Sequence, residues 1–261
     1  MSLSSALTIS NQHVQRLRRL VGRRSSRHDE GVYVVDGPTL VAEAVSAGLE
    51  VECQFVSPGS DPVPGAGIVH HVADGVLEKV ADTESPRGVM AIVRRPVVDV
   101  DVLTRASFVV VAHGLSDPGN LGTLMRSAEA AGADAIAITP GSVDATSPKV
   151  VRSSAGAVFH LPVVEIESLE DLRHAGLTVI GTSSHHGVEF ARLDLTKRIA
   201  ITIGHEAHGL PEDASVDQWT TIPHAGRAES LNAAMAGTIL CFEVARQRRG
   251  DSGTVIVGHA H

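Results

Sequence analysis

Phe108-Val-Val-Val-Ala112 is an unbroken apolar run in which three of five residues are β-branched. With no polar alternate, such a strand leaves neither face to water, as in a parallel sheet covered by helices on both sides. Shorter runs of the same kind follow at Ala135 to Thr139, Leu161 to Val164, Thr178 to Gly181, Ile199 to Ile203 and Thr220 to Ile222. Helical patterns lie between several of them. The alternation predicts an α/β architecture with an open, mostly parallel sheet and helices on both faces. In such sheets ligands sit beyond the carboxyl ends of the strands, so the loops after strands are where a site is expected.

The first part of the chain reads differently. Ser10 is placed to cap a helix whose apolar stripe is Val14, Leu17, Leu20 and Val21. The run GVYVVDG, ending in Asp36-Gly37-Pro38, reads as strand and turn. A helix from Leu40 to Ala47, strands at Val51 to Val56, Ile68 to Val72 and Val89 to Val93, and a short helix near Leu77 complete a compact α/β unit. The expected organisation is a small unit over residues 1–95, a linker over 96–103 and a larger unit over 104–261.

The chain has 261 residues, 43% hydrophobic and 20% charged, which excludes disorder as its dominant state. No apolar run reaches the roughly 18–20 residues that a spanning helix needs, and MSLSSALTIS has no signal pattern. Cys53 and Cys241 provide neither a disulfide framework nor a cysteine zinc cluster. A cytoplasmic protein that does not contact membranes is expected. The net charge of −8 argues at first against a nucleic-acid partner. Its distribution does not, because Arg16, Arg18, Arg19, Arg23, Arg24 and Arg27 against Asp29 and Glu30 make residues 1–30 a +4 arm on an acidic body. The preference for arginine over lysine suits phosphate contacts, but a GC-rich genome gives the same bias and is the plainer reading.

Common nucleotide and hydrolase motifs are absent: there is no G-x-G-x-x-G, G-x-x-x-x-G-K-[ST] or G-x-S-x-G. His205-Glu-Ala-His208 is one residue short of a zinc helix motif, and no metal is expected. Most of the 14 histidines read as surface or structural residues.

Three segments of the second half stand out together. In the first, a strand enters the turn Ser116-Asp-Pro-Gly-Asn120, with Asn120 placed to cap a helix whose buried stripe is Leu121, Leu124, Met125 and Ala128. Arg126 lies about 140° round that helix from Leu121, between the small residues Gly122 and Ala130. In the second, a buried strand emerges at Gly204, whose lack of bulk permits close ligand approach, and Glu206 follows before Gly209-Leu-Pro211. In the third, Ile222-Pro223 and a glycine loop lead to Ser230-Leu-Asn232. Ser230 alone reads as an N-cap, with Leu231, Met235, Ile239 and Phe242 as the buried stripe of a long helix that ends among Arg246, Arg248 and Arg249.

In this order, N-L-G-x-x-x-R, G-x-E-x-x-G-L and I-P…S-L-N resemble the signature motifs of the SpoU family of RNA 2′-O-ribose methyltransferases, within the SPOUT class. The match covers about residues 107–247. Residues 1–95 look like the ribosomal-protein-like substrate-binding domain of many ribosomal-RNA members. The segment Lys149-Val-Val-Arg152 through Pro162 looks like the branch that includes thiostrepton-resistance methyltransferases. His205 departs from the commoner Asn or Ser, and Ala207-His208 from the frequent Gly.

The resemblance implies a deep trefoil knot, a homodimer, and S-adenosylmethionine as methyl donor without a metal. It places Thr182, Gly204, Ile222, Leu231 and Asn232 at the cofactor. It makes Arg126 the catalytic arginine, with Asn120, Glu206, Ser230 and Asn232 in support. Structured RNA is the implied partner, ribosomal RNA before tRNA, gripped by Arg126, Arg152, Arg16, Arg18, Arg23 and Arg24. Transfer from a sulfonium to a hydroxyl is an in-line displacement that rests on alignment. Arginine is a poor general base, so phosphate binding and charge stabilisation suit Arg126 better than proton abstraction. A tRNA methyltransferase, or a non-catalytic RNA-binding or ribosome-assembly protein on the same fold, are the alternatives.

Overall fold

The structure, a computed structural model, describes residues 6–83, 86–227 and 230–249. The outer ends of both expected units, 1–5 and 250–261, and Glu229 beside the third motif lie outside the described residues.

The first unit is built from α1 (Gln12–Gly22), α2 (Arg24–Glu30), β1 (Val32–Asp36), α3 (Pro38–Ser46), β2 (Val51–Val56), β3 (Ile68–His71), α4 (Val76–Val80) and β4 (Val89–Arg94). Its four strands are ordered β1-β4-β2-β3, antiparallel except for the β2–β3 pair. Period-2 alternation divides the sheet between two cores. Val32, Val34, Phe55 and Ile92 face α1 and α4 on one side, and Tyr33, Val35, Val56 and Val93 face α3 on the other.

The second unit contains α5 (Val102–Arg105), β5 (Phe108–Ala112), α6 (Pro118–Ala130), β6 (Ala135–Ile138), α7 (Pro148–Ser153), β7 (Val163–Glu165), α8 (Glu170–His174), β8 (Thr178–Thr182), β9 (Val188–Glu189), β10 (Ile199–Ile203), β11 (Gln218–Thr221) and α9 (Ala233–Arg248). The sheet order is β7-β6-β5-β10-β8-β11-β9, and each of its ladders is parallel. β5 and β10 are buried along their whole length. Phe108 and Val110 join the core under α6 and α9, whereas Val109 and Val111 join the core under α5 and α8. β10 enters between β5 and β8, and β11 between β8 and β9, so both late strands insert among strands laid down earlier.

Three helix starts differ from expectation. Asn11, not Ser10, caps α1 by accepting from the His13 amide. Asp117, not Asn120, caps α6, and Pro118 occupies the first turn, where its missing N–H costs nothing. Asn232, not Ser230, caps α9. The stripe expected to bury α9 is also overturned. Leu231, Met235, Ile239 and Phe242 are exposed, and Ala234, Gly237, Cys241 and Val244 face inward. The reason is proximity: a Cβ on Gly237 would stand 2.4 Å from Leu124 of α6, so the small-residue face is the one that fits. Gly122 does the same for α7, since a Cβ there would collide with Ser153. No helix among the described residues is long and apolar enough to cross a membrane.

Candidate active site

The loops that follow β8, β10 and β11 meet the start of α9 around a cavity of about 330 Å³, within the range of small-molecule sites. Thr182, Gly204, Ile222 and Leu231 all line it. Asn232 lies at its edge as the α9 cap, accepting from the amides of Ala234 and Met235. Gly204 has a reason different from ligand approach. A Cβ there would meet Gly209 and Leu210 at 2.4–2.5 Å, so the residue lets the 205–209 loop fold back on its own strand. His205 and Gly209 close that loop with paired backbone bonds of 3.1 and 2.8 Å.

One chain of hydrogen bonds joins the three sequence segments. Asn232 spends its Oδ1 on the α9 amides, which leaves Nδ2 to donate to Asn120 Oδ1 at 2.9 Å. Asn120 Nδ2 is thereby turned to donate to Glu206 Oε1 at 3.0 Å. Glu206 also accepts from the Asp117 amide at 2.9 Å and from the amide and hydroxyl of Ser116 at 3.1 and 3.0 Å. Partial burial opposes the charge, but these donors outweigh it and hold the carboxyl at about 2. Ser116 and Asp117 were not singled out in the sequence, although their place in the strand-to-helix turn marks them.

Arg126 and Ser230 stand apart from this chain, exposed on α6 and before α9. Among the described residues Arg126 makes no ion pair, so its guanidinium is available to an external anion. Five histidines line the cavity: His205 and His208 of the second motif, and His185, His186 and His224, which the sequence reading did not place at the site. Each falls in a loop after a strand, which is the signal that could have found them. The His205 and His208 rings stack at 5.0 Å, and His186 packs on Trp219 at 4.8 Å. His224 Nε2 is buried at the cavity without a partner. Among the described residues no group of three histidine, cysteine or acidic side chains could hold a metal.

The basic arm is less free than its charge suggests. Arg16 pairs with Glu30 and Glu52, Arg19 with Glu30, and Arg27 is buried against Asp144. Arg152 pairs with Asp82 at 2.5 Å. Arg18, Arg23 and Arg24 are exposed, and none of them forms an ion pair among the described residues.

The model of the SpoU rRNA Methylase family matches residues 107–242, and that of the MRM3-like substrate binding domain matches residues 11–91. A Bacillus subtilis 23S rRNA (guanosine(2553)-2′-O)-methyltransferase, RlmP, is 30% identical over 90% of this chain and 96% of its own. A Streptomyces viridochromogenes 23S rRNA (uridine(2479)-2′-O)-methyltransferase is 31% identical over 93% of this chain and 92% of its own. The crystal structure of the SpoU methyltransferase AviRb from Streptomyces viridochromogenes, in complex with the cofactor AdoMet, superposes with a TM-score of 0.82. It is 30% identical and covers 92% of this chain and 99% of that one.

Proposed function

The chain belongs to the SpoU rRNA methylase family, and from that premise we propose that it methylates a ribose 2′-hydroxyl of structured RNA, 23S ribosomal RNA before tRNA, with S-adenosylmethionine as donor. The observation that carries this reading is the Glu206–Asn120–Asn232 chain, which draws three distant segments together beside one cavity.

The cavity suits the donor in kind. Its walls mix apolar side chains with backbone at the ends of parallel strands, and the unpartnered His224 Nε2 offers a buried polar contact. Thr182, Gly204, Ile222 and Leu231 would hold the donor, whose sulfonium supplies an electrophilic methyl for in-line displacement. Arg126 would bind a phosphate of the RNA and stabilise negative charge as it develops on the ribose oxygen. Glu206 is unsuited to take the proton, because a carboxyl held near 2 and saturated with donors is a weak base. Its part is to fix Asn120 and the α6 turn, with Ser230 and Asn232 at the mouth of α9.

Other parts of the reading have their own support. The late insertion of β10 and β11 supports a knotted sheet. The exposed Met235, Ile239 and Phe242 on one face of α9 support a homodimer, since an apolar helix face of this kind asks for a partner. Residues 1–95 would grip RNA through Arg18, Arg23 and Arg24, in the cytoplasm.

Calorimetry with S-adenosylmethionine, followed by labelled-methyl transfer to deproteinised 23S ribosomal RNA and to tRNA, tests the reading. Binding and ribose labelling are expected, with Arg126→Ala lowering kcat about 10²–10³-fold while cofactor affinity holds. RNA binding without methylation of either RNA would favour the non-catalytic alternative.

A further inference from the structure

The two units meet across a seam that is apolar as well as charged. Val151 and Phe159 of the second unit pack into the core formed by Tyr33, Val35, Val41 and Val93 of the first. Polar contacts cross the same seam: the ion pairs of Arg152 with Asp82 and of Arg95 with Glu165, a hydrogen bond between His160 and Glu43, and a longer approach of Arg152 to the buried Asp36 at 3.8 Å. Apart from Asp36, their side chains are at least a quarter exposed, and solvated pairs of this kind hold little.

Arg27 is different. It is 5% exposed, on α2, and its Nη2 lies 2.5 Å from Asp144 Oδ2 in the loop before α7. Its Nη1 donates to the carbonyls of Leu20 and Val21, and its Nε to Asp144 and Thr146. One guanidinium thus ties the end of α1 to a loop of the other unit. That loop leads into α7, whose Ser153 hydroxyl lies 3.0 Å from the Pro118 carbonyl, sharing its one proton with the Lys149 and Val150 carbonyls of α7, and seats against Gly122. Pro118 and Gly122 belong to α6, the helix that carries Asn120 and Arg126. Breaking the pair would strand Asp144 as a buried charge, which water could reach only by opening the seam.

We propose that Arg27 is a positioning residue: through Asp144 it docks the first unit on the α7–α6 edge of the second, so that RNA held by Arg18, Arg23 and Arg24 meets Arg126 in a single orientation. The inference rests on the reading that this chain methylates RNA. Docking makes the second RNA contact effectively intramolecular, so its loss lowers apparent affinity and leaves the methyl-transfer step intact.

The test uses the full chain with Arg27→Met, Arg27→Lys and Asp144→Asn. Spin labels on cysteines substituted at the exposed Gln12 and Glu129 report the distance between the units. Labelled-methyl transfer to a 23S ribosomal RNA transcript gives KM and kcat, and calorimetry gives S-adenosylmethionine affinity. A narrow distance distribution is expected for the unaltered pair and a broad one for Arg27→Met and Asp144→Asn. KM for RNA should rise about tenfold, with kcat and cofactor affinity within about twofold and Arg27→Lys intermediate. Asp144→Asn keeps Arg27 on its two carbonyls and guards against Arg27→Met failing to fold. A narrow distribution with unchanged KM overturns the proposal. So does loss of cooperative unfolding in both variants, or a KM increase matched by lost cofactor affinity. If the unaltered chain labels no RNA, the functional reading fails, while the distance measurement still judges the clamp.

Discussion

Glu206 accepts four hydrogen bonds, three of them from the turn that starts α6 and one from Asn120. A carboxylate meets four donors with acceptors alone, two at each oxygen, whereas an amide would turn its NH2 toward two of them. Glu206→Gln should therefore lower kcat/KM for RNA about 10–100-fold, the equivalent of about 1.5–3 kcal/mol for a charged hydrogen bond. Steady-state methyl transfer measures it. The folded carboxyl, near 2, lies below its ordinary 4.5. Its contribution is thus complete above about pH 4.5 and is lost as pH falls through about 2. The pH–rate profile between about pH 5 and 9 should show no limb from this group, and a limb removed by Glu206→Gln would contradict the assignment. The three segments were legible because their residue types and order are specific. The bonds among them were not, since Asn120 and Asn232 are both good cap types, and only the geometry assigns capping to Asp117 and Asn232.

At the scale of elements, β5 and β10 begin and end where their apolar runs do. Burial on both faces leaves such strands almost wholly apolar, Thr202 of β10 being the exception, so composition marks them. α9 was harder. It carries two apolar stripes at helical spacing, and side-chain size pointed to Leu231, Met235, Ile239 and Phe242. Size misled because the helix approaches α6 at Gly237, where only the small face fits. The larger stripe is left exposed, where the proposed second copy of the chain would cover it. Met235→Glu and Phe242→Glu should each raise the dimer dissociation constant at least about tenfold, since an interfacial carboxylate would be buried unpaired. Sedimentation velocity across a concentration series measures it. An unaltered chain that sediments as a monomer at every concentration would remove the dimer from the reading.

For the whole molecule, the +4 arm on an acidic body resolves into arginines with different tasks. Arg16 and Arg19 hold the acidic side chains of Glu30 and Glu52, and Arg27 holds Asp144. Contact order in space, which the sequence does not show, made these assignments. The arginines left over are Arg18, Arg23 and Arg24, exposed beside the seam helix α2. Phosphate contacts release counterions, each contributing about 0.7–0.9 to the slope of log affinity against log salt. Replacing all three with glutamine should flatten that slope by about two to three for a 23S ribosomal RNA transcript, read by fluorescence anisotropy. Arg16→Gln should leave the slope unchanged, because its guanidinium already has two carboxylates. If the triple variant keeps its slope while Arg16→Gln loses one unit, RNA displaces the internal pairs and the arm opens on binding. If neither moves, the phosphates are held by the second unit alone, and the first unit contributes shape instead of charge.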